Sequence, residues 1–276
     1  MTITIPPGYK SSPLGPIPSD WETALISNLS DKIMVGIASA ATHAYRNNGI
    51  VLFRNQNIKE GYLDDSDILF IDEDYEKSHK NKRLIGGDIL VARTGYPGVA
   101  CVVPDKYKNS QSFTTLIIRP KHSVIDTGYL CYYINSEIGQ SFFEINQIGG
   151  GQKNVNAGTL EKMLIPLPSQ KEQERIVKIF SKWDEAISKV SKLIGQHELR
   201  KKGLIQKLLS GKVKLKGFTQ KWQYVELKEL FDEITEINDG GDGHTIMTIS
   251  AKSGFISQDD KFDRVIAGDS LKNILN

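Results

Sequence analysis

Side chains suited to reading base edges form a polar run, Arg54-Asn55-Gln56-Asn57, set directly after the strand-like Gly49-Ile50-Val51-Leu52-Phe53. A guanidinium offers a fork of donors, and a carboxamide offers one acceptor beside one donor. Those patterns complement base edges in a DNA major groove, where guanine shows two acceptors and adenine an acceptor beside a donor. In an extended chain Arg54 and Gln56 project to one side and form the sharper pair. A polar loop that only caps the end of a sheet is the competing reading. Lys80, Lys82 and Arg83 are cations suited to phosphate, although the acids around them allow a solvated charge network instead. Arg93 ends a second apolar run, Asp88-Ile89-Leu90-Val91-Ala92. A third polar element is Gly149-Gly150-Gly151-Gln152-Lys153-Asn154. Its glycines, Gly151 included, permit close backbone approach, while Gln152 suits a base contact and Lys153 a phosphate contact.

Other chemistry is poorly supported. The glycine run lacks the Gly-Lys-Ser or Gly-Lys-Thr ending of a nucleotide-binding loop, Gly86-Gly87 lacks a dinucleotide fingerprint, and no Asn-Pro-Pro-Tyr-like methyltransferase motif is present. His43, His79, His122, His197 and His244 have no metal-ligand spacing around them, and no residue is nominated as catalytic or metal-binding. Cys101 and Cys131, the two cysteines, lie in apolar surroundings that suit buried, inert thiols.

A chain of 276 residues with 39% hydrophobic content can build one large or two ordinary folded domains. No apolar run approaches a membrane span and the Thr- and Pro-rich start lacks the regions of a secretory signal, so a cytoplasmic protein without membrane contact is expected. The net charge of +2 conceals a segregated distribution: Leu199 to Lys221 carries eight Lys or Arg residues and no acid, whereas Asp64 to Glu76 is strongly acidic. The basic segment suits phosphate or simple solvation equally.

Short apolar runs punctuated by Gly, Asn, Asp and Pro over about residues 20 to 168 predict strands at Ile50–Phe53, Asp67–Ile71, Asp88–Ala92, Ala100–Val103 and Phe113–Ile118. They make a mixed β-rich region rather than a repeating βαβ pattern. Leu130, Ile134, Ile138 and Phe142 recur every four residues and predict one helix face packed on the strands.

After Ile165-Pro166-Leu167-Pro168 a long helix is expected, with Ser169 as N-cap and Glu172 as the acid three positions on. Ile176, Phe180, Trp183, Ile187, Val190 and Ile194 then follow at intervals of four, three, four, three and four, the spacing of a coiled-coil seam. Helical from Lys171 to Leu209, the segment is about 58 Å long. Gly195 and His197 interrupt the seam, which resumes at Leu204, Leu208 and Leu209 before the stop at Ser210-Gly211.

Partly similar segments flank this helix. Ile17-Pro18-Ser19-Asp20-Trp21 is echoed by Gly217-Phe218-Thr219-Gln220-Lys221-Trp222, Gly49–Phe53 through Gly61–Leu63 by His244–Thr248 through Gly254–Ile256, and Ile85–Asp88 by Ile266–Asp269. The second copy ends early in the polar Ser270–Asn276, which predicts unpaired strand edges and a weak core after residue 222.

Ile165–Pro168, then Glu172-Gln173-Glu174-Arg175-Ile176-Val177, then Asp184-Glu185-Ala186-Ile187 closely resemble the target-domain exit and spacer helix of type I restriction-modification specificity subunits. Leu208-Leu209-Ser210-Gly211-Lys212 and Trp222 extend the resemblance over nearly the whole chain. It implies an α+β fold: a mixed β-rich target-recognition domain at 1–168, a coiled-coil-forming spacer helix at 169–211, and a truncated second target-recognition domain at 212–276. It also implies a non-catalytic subunit that binds double-stranded DNA and directs modification (methyltransferase) and restriction/translocase subunits to a bipartite site. S-adenosylmethionine, ATP and magnesium are then needed by those partners alone, with no cofactor in this chain. Arg93-Thr94-Gly95 matches a family turn near the DNA-facing side, which makes Arg93 and Thr94 phosphate or base contacts, against burial of Arg93 with an acid. The family pairs two spacer helices, and only one is present here. Two chains are therefore expected to associate through Ile176, Phe180, Trp183, Ile187, Val190 and Ile194. The alternative is a truncated, non-catalytic scaffold or inhibitory protein that binds modification subunits through its helix.

Overall fold

The computed structural model describes residues 5–147, 154–232, 236–237, 247–252, 254–257 and 274–275. The chain divides into two compact units, 1–195 and 196–276. The fold is α+β.

The strand Ile89–Val91 lies inside the first unit with all three residues buried. Its neighbours are Ala100–Val102 and Leu116–Pro120, with Ser30–Val35 beyond, in a four-stranded antiparallel sheet. Side chains alternate across a strand, so this run serves two cores at once. Ile89 and Val91 pack with Leu116, Ile118, Leu130, Ile134 and Phe143, whereas Leu90 packs with Phe53, Leu84, Cys101 and Ile117. A second four-stranded sheet holds Gln111–Phe113, Ile50–Arg54, Leu69–Ile71 and Tyr45–Arg46, the first two parallel to each other.

Among the described residues five α-helices accompany the strands: α1 (Glu73–Lys77), α2 (Thr127–Asn135), α3 (Glu137–Asn146), α4 (Ala157–Leu160) and α5 (Gln170–Leu209). The single helix face expected from Leu130 to Phe142 is instead two helices. Ser136 takes an extended conformation between them, and its side chain accepts from Gly139 N to cap α3. Leu130 and Ile134 are buried, but beyond the break Ile138 turns outward and Phe143 enters the core. Asn135 holds α2 to the sheet, accepting from Ala100 N and donating to Ala100 O, both at 2.9 Å.

Both cysteines are free and buried, as the sequence indicates. Burial pushes the Cys131 thiol up to about 12 and the Cys101 thiol higher, so neither is a thiolate at neutral pH.

The exit strand Leu164–Leu167 pairs antiparallel with Glu22–Leu25 directly before α5, which runs from the first unit into the second. Two tyrosines of α2 clasp that strand, Tyr129 Oη donating to Pro166 O at 2.8 Å and Tyr133 Oη to Leu164 O at 3.1 Å. The helix α5 is 40 residues long, about 60 Å, and continues through Gly195.

In the second unit Gly211, at φ 68°, ends the helix in the left-handed conformation that glycine adopts at least cost. Its backbone lies under the Trp222 ring, and Lys214 Nζ donates to Thr219 O and Gln220 O. Met247–Ser250 and Gly254–Ser257 form a hairpin. Their suggested counterparts in the first unit do not pair with each other, because Ile50–Arg54 lies against Leu69–Ile71 while Tyr62–Leu63 pairs with Ile58–Lys59. The echo at Ile266–Asp269 lies outside the described residues.

Candidate nucleic-acid interface

Strand register brings two of the three polar elements, and the end of the third, into one cluster. Asn55 sits in a short 3-10 turn, Asn55–Asn57, at the end of its strand. Its Oδ1 accepts from Arg93 N at 2.6 Å and Thr94 N at 3.4 Å, and its Nδ2 donates to Thr114 Oγ1 at 3.2 Å. Arg93 Nε donates to Asn154 Oδ1 at 2.9 Å, and Thr94 forms an isolated antiparallel bridge with Asn154. The Arg93 side chain is thus half-buried and aligned by asparagines from two other segments. Among the described residues its terminal nitrogens have no partner, which leaves the fork that recognises a phosphate or guanine edge.

The corner beyond Arg93 packs closely against α3. Gly98, at φ 105°, lies so close to Phe143 that an added Cβ would sit 2.6 Å from the ring. This turn holds Tyr96 at its tip, 83% exposed. No charge or periodicity marks Tyr96 in the sequence; its one signal is Gly95-Tyr96-Pro97-Gly98, a turn pattern carrying an aromatic.

Arg54 and Gln56 do not lie in an extended chain, since the 3-10 turn begins at Asn55, yet they still converge. Arg54 Nη2 donates to Asp67 Oδ2 and Asp67 O, both at 2.9 Å, and Gln56 Nε2 donates to Asp67 Oδ2 at 2.8 Å. Asn57 differs: it is buried, its Oδ1 accepts from Arg54 N, and its Nδ2 donates to Asp64 O and Asp67 O. An amide with both ends committed inside its own loop shapes that loop and has no edge left for a base.

The cation cluster divides as well. Arg83 makes a bidentate pair with Glu76, 2.5 Å on each arm. Glu76 is almost wholly buried and also accepts from Gln111 Nε2 at 3.0 Å. The Arg83 guanidinium beside it, helped by Gln111, holds its carboxyl below the ordinary carboxylate range. Lys82 Nζ is committed to Gly36 O at 2.8 Å, whereas Lys80 is exposed. Gly151, Gln152 and Lys153 lie outside the described residues.

The start of α5 is fixed to this domain at several points. Gln173 is fully buried: its Oε1 accepts from Asp126 N at 2.8 Å, and its Nε2 donates to Pro168 O at 3.0 Å and Val124 O at 3.3 Å. Glu172, expected as a capping acid, has its carboxylate on the Trp21 indole instead. Tyr132 Oη donates to Asp184 Oδ2 at 2.5 Å, and its ring lies 5.3 Å from that of Phe180. Of the expected seam, Ile176 packs with Val177 against the domain's own core, so it is spent within the unit. Trp183, Ile187, Val190 and Ile194 are each more than half exposed, Trp183 at 66%.

A β-rich α+β domain that presents a polar corner and is clamped to a long helix with an exposed apolar stripe has the build of a recognition module. The pattern defining the type I restriction modification DNA specificity domain matches residues 18–195, more than half of the chain, and the chain belongs to that family. It is 26% identical over 233 residues to the putative type I restriction enzyme MjaX specificity subunit of Methanocaldococcus jannaschii, covering 79% of this chain and 54% of that protein. It is 24% identical over 274 residues to the type I restriction enzyme EcoKI specificity subunit of Escherichia coli K12, covering 89% and 57% respectively. The chain spans about half the length of the curated relatives it matches. The crystal structure of a type I restriction-modification system S subunit from M. genitalium has the same fold, with TM-score 0.50 and 19% identity over 69% of this chain and 46% of that one.

Proposed function

We propose that this chain is a sequence-specific DNA recognition subunit without a catalytic centre, which directs partner methyltransferase and restriction subunits to a bipartite site. The observation that carries this reading is the assembly of Arg93, Asn55 and Asn154 into one preoriented corner, in a chain belonging to a DNA specificity family. Base and phosphate contacts fall to Arg93, Thr94, Arg54 and Gln56, with Lys80, Gly151, Gln152 and Lys153 as further candidates. Asn55 aligns the corner, while Asn57, Lys82 and Arg83 serve the domain's interior bonding.

In this reading residues 1–168 recognise DNA, 169–211 form the spacer and 212–276 belong to a second recognition domain. The stripe through Phe180, Trp183, Ile187, Val190 and Ile194 supports a coiled-coil pairing with a second spacer helix, supplied when two chains associate. Adenine methylation and nucleotide-driven steps then fall to partners, which hold S-adenosylmethionine, ATP and magnesium. No helix among the described residues is long and apolar enough to cross a membrane, and we propose a cytoplasmic site of action on DNA.

Selection from a randomised duplex library by the full chain, co-purified with modification subunits, tests the reading. One bipartite motif should be enriched. A pool that shows no sequence preference contradicts DNA reading and leaves a scaffold that docks modification subunits through its helix.

A further inference from the structure

Asp67 holds both members of the reading pair. Its Oδ2 accepts from Arg54 Nη2 at 2.9 Å and from Gln56 Nε2 at 2.8 Å, while its main-chain oxygen takes a second contact from Arg54. Asp67 stands at the surface with its side chain 70% exposed, whereas the Arg54 side chain is 25% exposed. The neighbouring acids are engaged elsewhere: Asp64 accepts from Ser66, and Asp65 from Lys106 and Tyr107. The carboxylate on Arg54 and Gln56 therefore belongs to Asp67 alone among the described residues. Its oxygen occupies the place that an acceptor on a base edge or a phosphate would take.

We propose that Asp67 is a specificity-determining residue, withholding Arg54 and Gln56 from phosphate and yielding them to a matching base edge. The inference rests on the DNA-reading function proposed above. A free arginine binds the phosphate of any sequence and adds affinity without discrimination. An arginine paired with a carboxylate must surrender that pair, and an arriving phosphate also meets the negative charge of Asp67. A G·C pair in the major groove removes both penalties. Guanine O6 and N7 take the Arg54 fork, and the cytosine amino group donates to Asp67, so each ion exchanges one partner for another. Asp67 thereby acts as a filter against non-cognate DNA and as a reader of one base pair.

The test is library selection with the wild-type complex and with Asp67→Asn, an isosteric change at an exposed side chain. Affinity for the unselected library is measured alongside. Asp67→Asn is expected to relax the preference for G·C at one motif position about tenfold and to raise affinity for unselected DNA. Asp67→Ala, which removes the acceptor altogether, should relax the same position. Identical motifs from wild type and both variants overturn the inference while leaving DNA reading intact. So does a uniform loss of affinity with unchanged ranking, the mark of a purely structural carboxylate. A wild-type complex that enriches no motif overturns the proposed function, and this inference with it.

Discussion

The indole Nε1 of Trp21 donates to the Glu172 carboxylate at 3.1 Å, joining residues 151 positions apart. That bond ties the segment entering the first domain to the first turn of α5. Beside it, Gln173 bonds three main-chain groups from a fully buried position, and Val177 packs against Gly128, where an added Cβ would sit 3.0 Å from the valine side chain. The start of the helix is thus held to the domain at several points, as the proposed spacer role requires.

Gln173→Ala should therefore destabilise the domain by about 2 kcal/mol, because it strands a buried donor and buried acceptors at once. Gln173→Glu should also destabilise, since a carboxylate cannot donate to Pro168 O. Trp21→Phe, which keeps the ring and loses one bond at a half-buried site, should cost about 1 kcal/mol. Urea unfolding followed by circular dichroism checks the order; equal midpoints for all three variants and wild type would show that the helix start is not clamped.

The Glu76 and Arg83 pair predicts a pH dependence. The Glu76 pKa is lowered in the folded chain from an ordinary value of 4.5, first by its bonds to Arg83. A carboxylate with a depressed folded pKa contributes stability that is present above its unfolded value and lost as pH falls through the folded one. Stability should decline as pH drops below the ordinary carboxylate range, and Glu76→Gln should lower stability at neutral pH while flattening that acid limb. Thermal melts across the acid range measure both; an acid limb of unchanged steepness in the variant would remove Glu76 as its source.

Contact type separates the proposed DNA-facing residues. Arg93→Ala should reduce discrimination at one base pair by about 1–3 kcal/mol, and Arg93→Lys should restore charge without the bidentate fork. Lys153→Ala should weaken different DNAs evenly and lower the salt dependence of binding. Competition binding at two salt concentrations distinguishes them. If Arg93→Ala leaves both affinity and ranking unchanged, the corner is structural only.

Much of the scaffold was legible in the sequence because it follows from local pattern. The long helix appears in its seam, its proline-marked start and its glycine stop, and Ile89–Val91 reads as a buried strand from an unbroken apolar run. The break at Ser136 was hidden, since a four-residue repeat persists across two capped helices as readily as along one. The site was half legible. Arg54, Gln56 and Arg93 stand out as candidates by type, but the bonds of Asp67 and Asn154 to them depend on how the fold brings distant segments together, which local spacing does not encode. Ile176 belongs to the seam by period and to the domain core by packing.

The exposed stripe on α5 carries its own expectation. Replacing Trp183 and Ile187 together by Ala should leave the unfolding midpoint of the first domain nearly unchanged, because both side chains are more than half exposed. The same double variant should convert a dimer to a monomer in multi-angle light scattering. A wild-type chain that is monomeric at assembly-relevant concentration, with and without modification subunits, contradicts association through the helix.

The most direct test of DNA recognition is a methylome comparison between cells with and without the gene for this chain. Deletion should abolish adenine methylation at one bipartite motif and leave other methylated motifs unchanged, and the intact gene supplied in trans should restore it. A methylome identical before and after deletion would contradict the claim that this chain chooses the DNA sequence its partners modify.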